Sequence, residues 1–203
     1  GFIRPLGVEF IPALASEFLK RNGDLEVQFT FHTGVTAQLL DGLKVGSYDL
    51  VFCSEPPENL NLTALPVQKL VLITPKGHPL AARKSVDLSD TLPYPQIFFE
   101  KTSGIRGVIQ GMFEQIGMEP RIVYETEEDE VVAGLVAKGF GIAVVPYMDL
   151  LLKLDVEILQ IDSPTYERSL FMVHDEKVFL PPVVGRFRQF VRNSDTLHSG
   201  MEI

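Results

Sequence analysis

Hydrophobic residues in this chain change period repeatedly, from the two-residue repeat of a strand to the three-to-four-residue repeat of a helix and back. Phe10, Leu14 and Phe18 stand four apart and predict a helix, with Pro12 in its first turn or bending it. Leu25, Val27, Phe29 and Phe31 alternate with Glu26, Gln28, Thr30 and His32, the pattern of a strand with one buried face. A helix carrying Leu39, Leu40 and Leu43 and ended by Gly46 follows, then a strand from Tyr48 to Cys53. The middle of the chain repeats the order. It has a strand at 96–99, a helix from about Gly104, a strand at 121–126, a helix over about 128–138 and a strand at 141–145.

Two β-α-β-α-β halves are therefore expected, each a parallel sheet flanked by helices, with ligands at the carboxyl ends of the strands. Residues 68–74 with the turn-rich Pro75-Lys-Gly-His-Pro79 read as one connection between the halves, and residues 160–170, with Pro164, as another. A strand at 168–173 and a helix near Pro181-Pro182 come last and are assigned back to the first half. The expected fold class is α/β, two Rossmann-like lobes with a double crossover. Lobe I comprises residues 1–73 and 167–203, lobe II residues 74–166, and a ligand cleft lies between them.

The pair Gly139 and Gly141 raises the question of a phosphate-binding turn. Such a turn needs a strand before the glycines and a helix after them, and here the order is reversed. Gly139 reads instead as the residue that ends a helix with φ > 0.

Composition narrows the function. The 203 residues are 45% hydrophobic, enough for a packed core, and carry a net charge of −9, which repels nucleic acid and anionic membrane surfaces. No apolar run reaches the length of a membrane span, and no N-terminal signal is visible. The single cysteine, Cys53, excludes an internal disulfide and fits a reducing, cytoplasmic compartment. It reads as a small apolar filler ahead of a nucleophile. His32, His78, His174 and His198 are scattered without zinc-ligand spacing or a nucleophile beside them. Neither a metal, a cofactor nor a catalytic residue is assigned, and a binding role is expected over an enzymatic one. Gly1-Phe2-Ile3 reads as the end of a strand already under way, so a longer parent protein is expected.

Strand carboxyl ends place several residues at the expected cleft. They are Arg4, Pro5 and Leu6 after the first strand, Thr33, Gly34 and Thr36 after the second, and Ser54 after the third. In the second half they are Thr102, Ser103 and Arg106, then Glu127 in the acidic run 125–130, and Pro146. Helix N-termini there bring unpaired N–H groups and partial positive charge. Thr36 and Ser103 suit either N-capping or donation to a ligand. Arg4 and Arg106 are either surface cations or partners for an anion. Glu127 either complements a helix dipole or reaches an amino group, the latter suggesting an amino-acid-like ligand.

Phe10-Ile-Pro-Ala-Leu with Phe18, Thr33-Gly-Val-Thr-Ala-Gln38 through Gly46-Ser-Tyr-Asp-Leu50, Gly77-His-Pro-Leu-Ala81, Arg106 with Phe113, the acids 125–129 and Leu135-Val-Ala-Lys-Gly-Phe-Gly-Ile-Ala-Val-Val-Pro146 occur in one order. Together they resemble the effector-binding domain of LysR-type transcriptional regulators. The resemblance implies a fold similar to periplasmic binding proteins and a small-molecule effector between the lobes. It also implies a homodimer, with a tetramer open for the full-length protein. The partners would lie antiparallel, the first helix of one against the first helix of the other's second lobe. DNA contact would fall to an N-terminal winged helix-turn-helix outside this chain. Arg4-Pro-Leu replaces the small polar residues often found after the first strand in that family, and points to an effector with an acidic group. The acidic run and Gly-Leu-Val are most similar to regulators of nitrogen and amino-acid metabolism in Gram-positive bacteria. A solute-binding protein of a transport system is the alternative that shares the fold.

Overall fold

The computed structural model describes residues 1–23 and 26–194. Its elements run β1 (Phe2–Ile3), α1 (Phe10–Arg21), β2 (Thr33–Gly34), α2 (Thr36–Lys44), β3 (Val51–Ser54), β4 (Asn61–Ala64), β5 (Gln68–Pro75), β6 (Ser85–Asp87), β7 (Gln96–Phe99), α3 (Gly104–Gln115), β8 (Ile122–Thr126), α4 (Asp129–Ala137), β9 (Ala143–Pro146), β10 (Val156–Ser163), β11 (Glu167–Arg168), β12 (Leu170–His174) and α5 (Pro182–Arg192). The chain divides into two compact units. Unit 1 holds residues 1–67 and 169–203, and unit 2 holds residues 68–168.

In unit 1 the strand order is β2-β1-β3-β12-β4. β1 runs parallel to β2 and β3, whereas β12 is antiparallel to β3 and β4. Phe10, Leu14 and Phe18 of α1 are buried at the four-residue spacing that predicts the helix. Phe18, 1% exposed, meets Phe29, Phe187 and Phe190 edge-on at 5.1–6.2 Å. These rings tie α1 to α5, so the C-terminal helix completes the core that the N-terminal segment starts.

The alternating segment over 25–32 departs from expectation. Leu25 lies outside the described residues, and residues 26–32 join no ladder. Pairing begins only where His32 accepts from the Phe2 amide at 2.9 Å and Thr33–Gly34 meet Phe2–Ile3. β1 offers two residues to pair with, so the rest of the alternation has no backbone partner there. Phe29 stays half-buried and Phe31 is 51% exposed. Beside the segment is a cavity of about 380 Å³, lined by rings such as Phe2, Phe18, Phe29 and Phe187 and by polar residues such as Gln28, His32 and Asp49.

Unit 2 is built on β5, whose Leu70–Ile73 run is buried on both faces. β5 is flanked antiparallel by β9 and β10, pairs with β11 at its start, and β6 runs parallel to β10. β7 and β8 are parallel, and a bridge between Gln96 and Ile142 joins β7 to the entry of β9. Residues 68–74, expected as a connection, are thus a central strand. Their continuous Leu-Val-Leu-Ile run is what double burial requires, and it carries no period to announce a strand. Residues 160–170 likewise contain the end of β10, β11 and the first residue of β12 rather than a plain loop.

Gly139 ends α4 as expected, at φ +79°, with its amide on Val136 O and that of Phe140 on Leu135 O. Gly46 and Gly117 close α2 and α3 with the same pair of bonds. A Cβ at Gly139 meets nothing within 4 Å, so Gly139→Ala is expected to cost only the backbone term, about 1 kcal/mol. Urea unfolding checks this, and a loss above about 2 kcal/mol would mean that packing is also disturbed.

Candidate functional site

In unit 1, the parallel strands β2, β1 and β3 bring three carboxyl ends side by side. Arg4–Leu6 form a short 3-10 turn after β1. Arg4 and Pro5 are half-buried, while Leu6 is 1% exposed in the core, so at that position the backbone is what remains for a ligand. Thr33 is exposed and Gly34 half-buried in β2. The Thr36 hydroxyl donates to the carbonyl of Ser54 at 3.2 Å, which fixes the start of α2 against the end of β3. Ser54 itself is 6% exposed.

In unit 2, β7, β8 and β9 present a second set of carboxyl ends. Thr102 is exposed and Ser103 half-buried after β7, Glu127 is exposed after β8, and Pro146 is buried at the end of β9 opposite Leu70. The Glu100 amide bonds to Thr126 O at 3.0 Å and so ties the loops after β7 and β8 together. Arg106 sits in the first turn of α3 and is 8% exposed. Its guanidinium donates to Phe99 O at 2.5 Å and to Glu125, and lies 4.9 Å from the centre of the Phe98 ring. This cation therefore clasps the ends of β7 and β8.

The helix starts beside these loops share one property. Val35 before α2, Ser103 before α3 and Glu128 before α4 make no side-chain capping bond. Thr36 and Ser103 had capping as their simplest role. Thr36 instead spends its hydroxyl on Ser54 O, and Ser103 occupies the cap position without bonding forward. Uncapped N–H groups at a helix start are donors for an anion.

Asp129, in the first turn of α4, carried no signal in the sequence beyond its place in an acidic run. It is 4% exposed, and burial pushes its acid up from 3.8 to about 7. Glu130 and Glu128 act in the same direction, while the charge of Arg168 and a backbone hydrogen bond oppose it. Cys53 is fully buried in β3. The cavity of unit 1 lies at the amino ends of β1 and β3, lined by Gly1, Phe2 and Ser47–Leu50, and thus at the opposite edge from the loops just described. Among the described residues no group of three or more His, Cys, Asp or Glu is arranged to hold a metal, and no helix is long and apolar enough to cross a membrane.

A two-unit α/β chain with polar loops at strand carboxyl ends is the class to which small-molecule-binding domains of the periplasmic-binding-protein type belong. Residues 1–195 match the family model described as the LysR substrate binding domain, and the chain belongs to that family. It is 30% identical over 193 residues to the uncharacterized HTH-type transcriptional regulator YybE of Bacillus subtilis, covering 94% of this chain and 65% of that one. It is 25% identical over 197 residues to the transcriptional dual regulator GltC of the same organism, at the same coverages. The chain thus spans just under two thirds of the length of these curated relatives. Among solved structures, the effector binding domain of QuiR in complex with shikimate is 32% identical with a TM-score of 0.86, covering 98% of this chain and 94% of that one. The CcmR regulatory domain of Synechocystis PCC6803 in complex with 2-PG is 26% identical with a TM-score of 0.82, covering 94% and 93%. The fold is that of LysR effector-binding domains.

Proposed function

We propose that this chain is the ligand-sensing part of a LysR-type transcriptional regulator, taking a small organic acid or amino acid in a cleft between the two units. The carboxyl ends of β1–β3 and β7–β9 would line that cleft. Arg4, Pro5, Leu6, Thr33, Gly34, Thr36 and Ser54 would serve one wall; Thr102, Ser103, Arg106, Glu127 and Pro146 would serve the other. The observation that carries the reading is the pair of uncapped helix starts at α2 and α3, beside loops rich in hydroxyls. An acid has N–H donors and positive helix ends to meet there. The shikimate held by QuiR supports the same ligand chemistry, since it combines a carboxylate with hydroxyls.

Effector binding would act on DNA through a winged helix-turn-helix outside this chain, in a cytoplasmic homodimer. Ligand shifts such an equilibrium only by its different affinity for two arrangements. The regulator reading is favoured over a transporter's solute-binding protein by the transcriptional regulators among its relatives. Ile122, Val123 and Tyr124 of β8 are 37–45% exposed, as is Leu19 of α1 at 39%, apolar surface that the partner of such a homodimer would cover.

The test is a thermal-shift series with shikimate, 2-PG, benzoate and the common amino acids. An effector at about a hundred times its Kd adds about 2.7 kcal/mol to apparent stability. A set of acids that all leave the melting point unmoved removes the organic-acid class. Thr36→Val is expected to weaken the effector about tenfold by freeing the start of α2 from Ser54, with the fold intact, as read by calorimetry. Equal affinity in the variant takes Thr36 out of the site.

A further inference from the structure

We propose that Asp129, together with Gln68 and Arg168, is a proton-binding control point that sets the pairing of β5 with β11, where the chain enters and leaves unit 2. Gln68 and Arg168 are the first and last residues of that unit, and they stand directly opposite each other in the β5–β11 pair. Opposed residues of an antiparallel pair point to the same face. Both side chains are buried, at 2% and 5% exposure, and Asp129, 4% exposed in the first turn of α4, is near enough to Arg168 to feel its charge. Three polar side chains are thus sealed at the point where both strands of the crossover begin or end.

Their bonding is incomplete. Asp129 Oδ1 and Gln68 Oε1 are buried acceptors without a hydrogen-bond partner. A buried orphan acceptor costs far more than an exposed one, and a proton on Asp129 changes the count. The neutral acid becomes a donor and seeks an acceptor. The ionised carboxylate has no proton to give and leans on the positive charge of Arg168. The two protonation states therefore favour different bonding among the same three residues.

Burial fixes the direction, and the charged surroundings modify it. Glu130 and Glu128, on and just before the same helix, raise the affinity of Asp129 for its proton, and Arg168 of β11 opposes them. Of the other strands packed on α4, β7 and β9 contain no charged residue. β5 adds Lys69, which alternates to the face away from Gln68 and pairs with Glu167. β10 adds Glu157 and Asp162, both exposed. The acid sits raised to about 7 from 3.8, so the folded state holds the proton more tightly than the unfolded chain. The stabilisation is complete at low pH and is lost as pH rises through that window.

What this does to effector sensing rests on the ligand reading above, but strand pairing can be followed without any ligand, so either can fail alone. Hydrogen exchange of the whole chain at pH 6 and pH 8.5, corrected for intrinsic rates, is the experiment. Protection of the amides at 68–70 and 167–170 is expected to fall several-fold at the higher pH in the wild type. In Asp129→Asn it is expected to be the same at both. A wild type without that change, or a variant that keeps it, overturns the proposal. Should Asp129→Asn fail to fold, carboxyl-carbon NMR of the wild type decides: a midpoint near 7 supports the proposal and one below 5 overturns it.

Discussion

Gly141→Ala is expected to destabilise unit 2 by about 3 kcal/mol, seen as a fall of roughly 6–12 °C in melting temperature. A Cβ at Gly141 would lie 2.5 Å from Pro95 O and 3.2 Å from Pro95 C. Both are backbone atoms, so no rotamer change relieves the clash. Pro95 O accepts from the Ile142 amide at 3.0 Å, and Ile142 O from the Ile97 amide at 2.9 Å. The methyl group therefore acts on the link between β7 and β9, and relief requires the strands to part. β9 also pairs along Leu70–Ile73 of β5, so the strain reaches the centre of the unit. A loss below about 1 kcal/mol would show that the link gives way cheaply. Gly139, two residues earlier, has open space around its Cβ position and a positive φ; the two glycines of one motif are needed for unrelated reasons.

That contrast also marks what a sequence can tell. Helices announce themselves by faces, and Phe10, Leu14 and Phe18, or Ile109, Met112 and Phe113, fall on theirs because the core takes one side only. Loops at strand ends follow from element order, so Thr36, Ser103 and Arg106 are locatable without coordinates. Pairing is another matter. The alternation of 25–32 is a strand signal, yet a ladder needs a neighbour, and β1 supplies two residues. β5 is legible only as an apolar run, and its antiparallel place between β9 and β10 depends on contacts far along the chain. β4, four residues long and largely half-buried, has no period to read. The burial of Asp129 is hidden for a similar reason. Nothing in Glu-Thr-Glu-Glu-Asp-Glu says which acid faces inward; that is decided by how α4 packs on β5, β7 and β9, strands elsewhere along the chain.

Arg106→Ala is expected to cost about 3 kcal/mol and to weaken effector binding in the same protein. The guanidinium is a poor candidate for a free anion clamp, since it already serves Phe99 O, Glu125 and the face of Phe98. Glu125 is 41% exposed and can take water when its partner goes, so the ion pair supplies the smaller share. The larger share is the buried carbonyl of Phe99, a residue 1% exposed, left without its charged donor, together with the space vacated over Phe98. The loops after Phe99 and Thr126 are joined by the Glu100–Thr126 bond and held from α3 by this clasp, so their spacing is expected to loosen. Arg106→Lys separates positioning from contact. Both bonds leave one guanidinium nitrogen, so a lysine ammonium can replace them where it reaches, but it lacks the planar group that lies over Phe98 and should recover only part of the stability. If stability returns while affinity stays lost, Arg106 touches the effector itself. If affinity follows stability across both variants, measured by calorimetry and urea unfolding, Arg106 acts by holding the loops. A change below about 0.5 kcal/mol in the alanine variant would remove the clasp altogether.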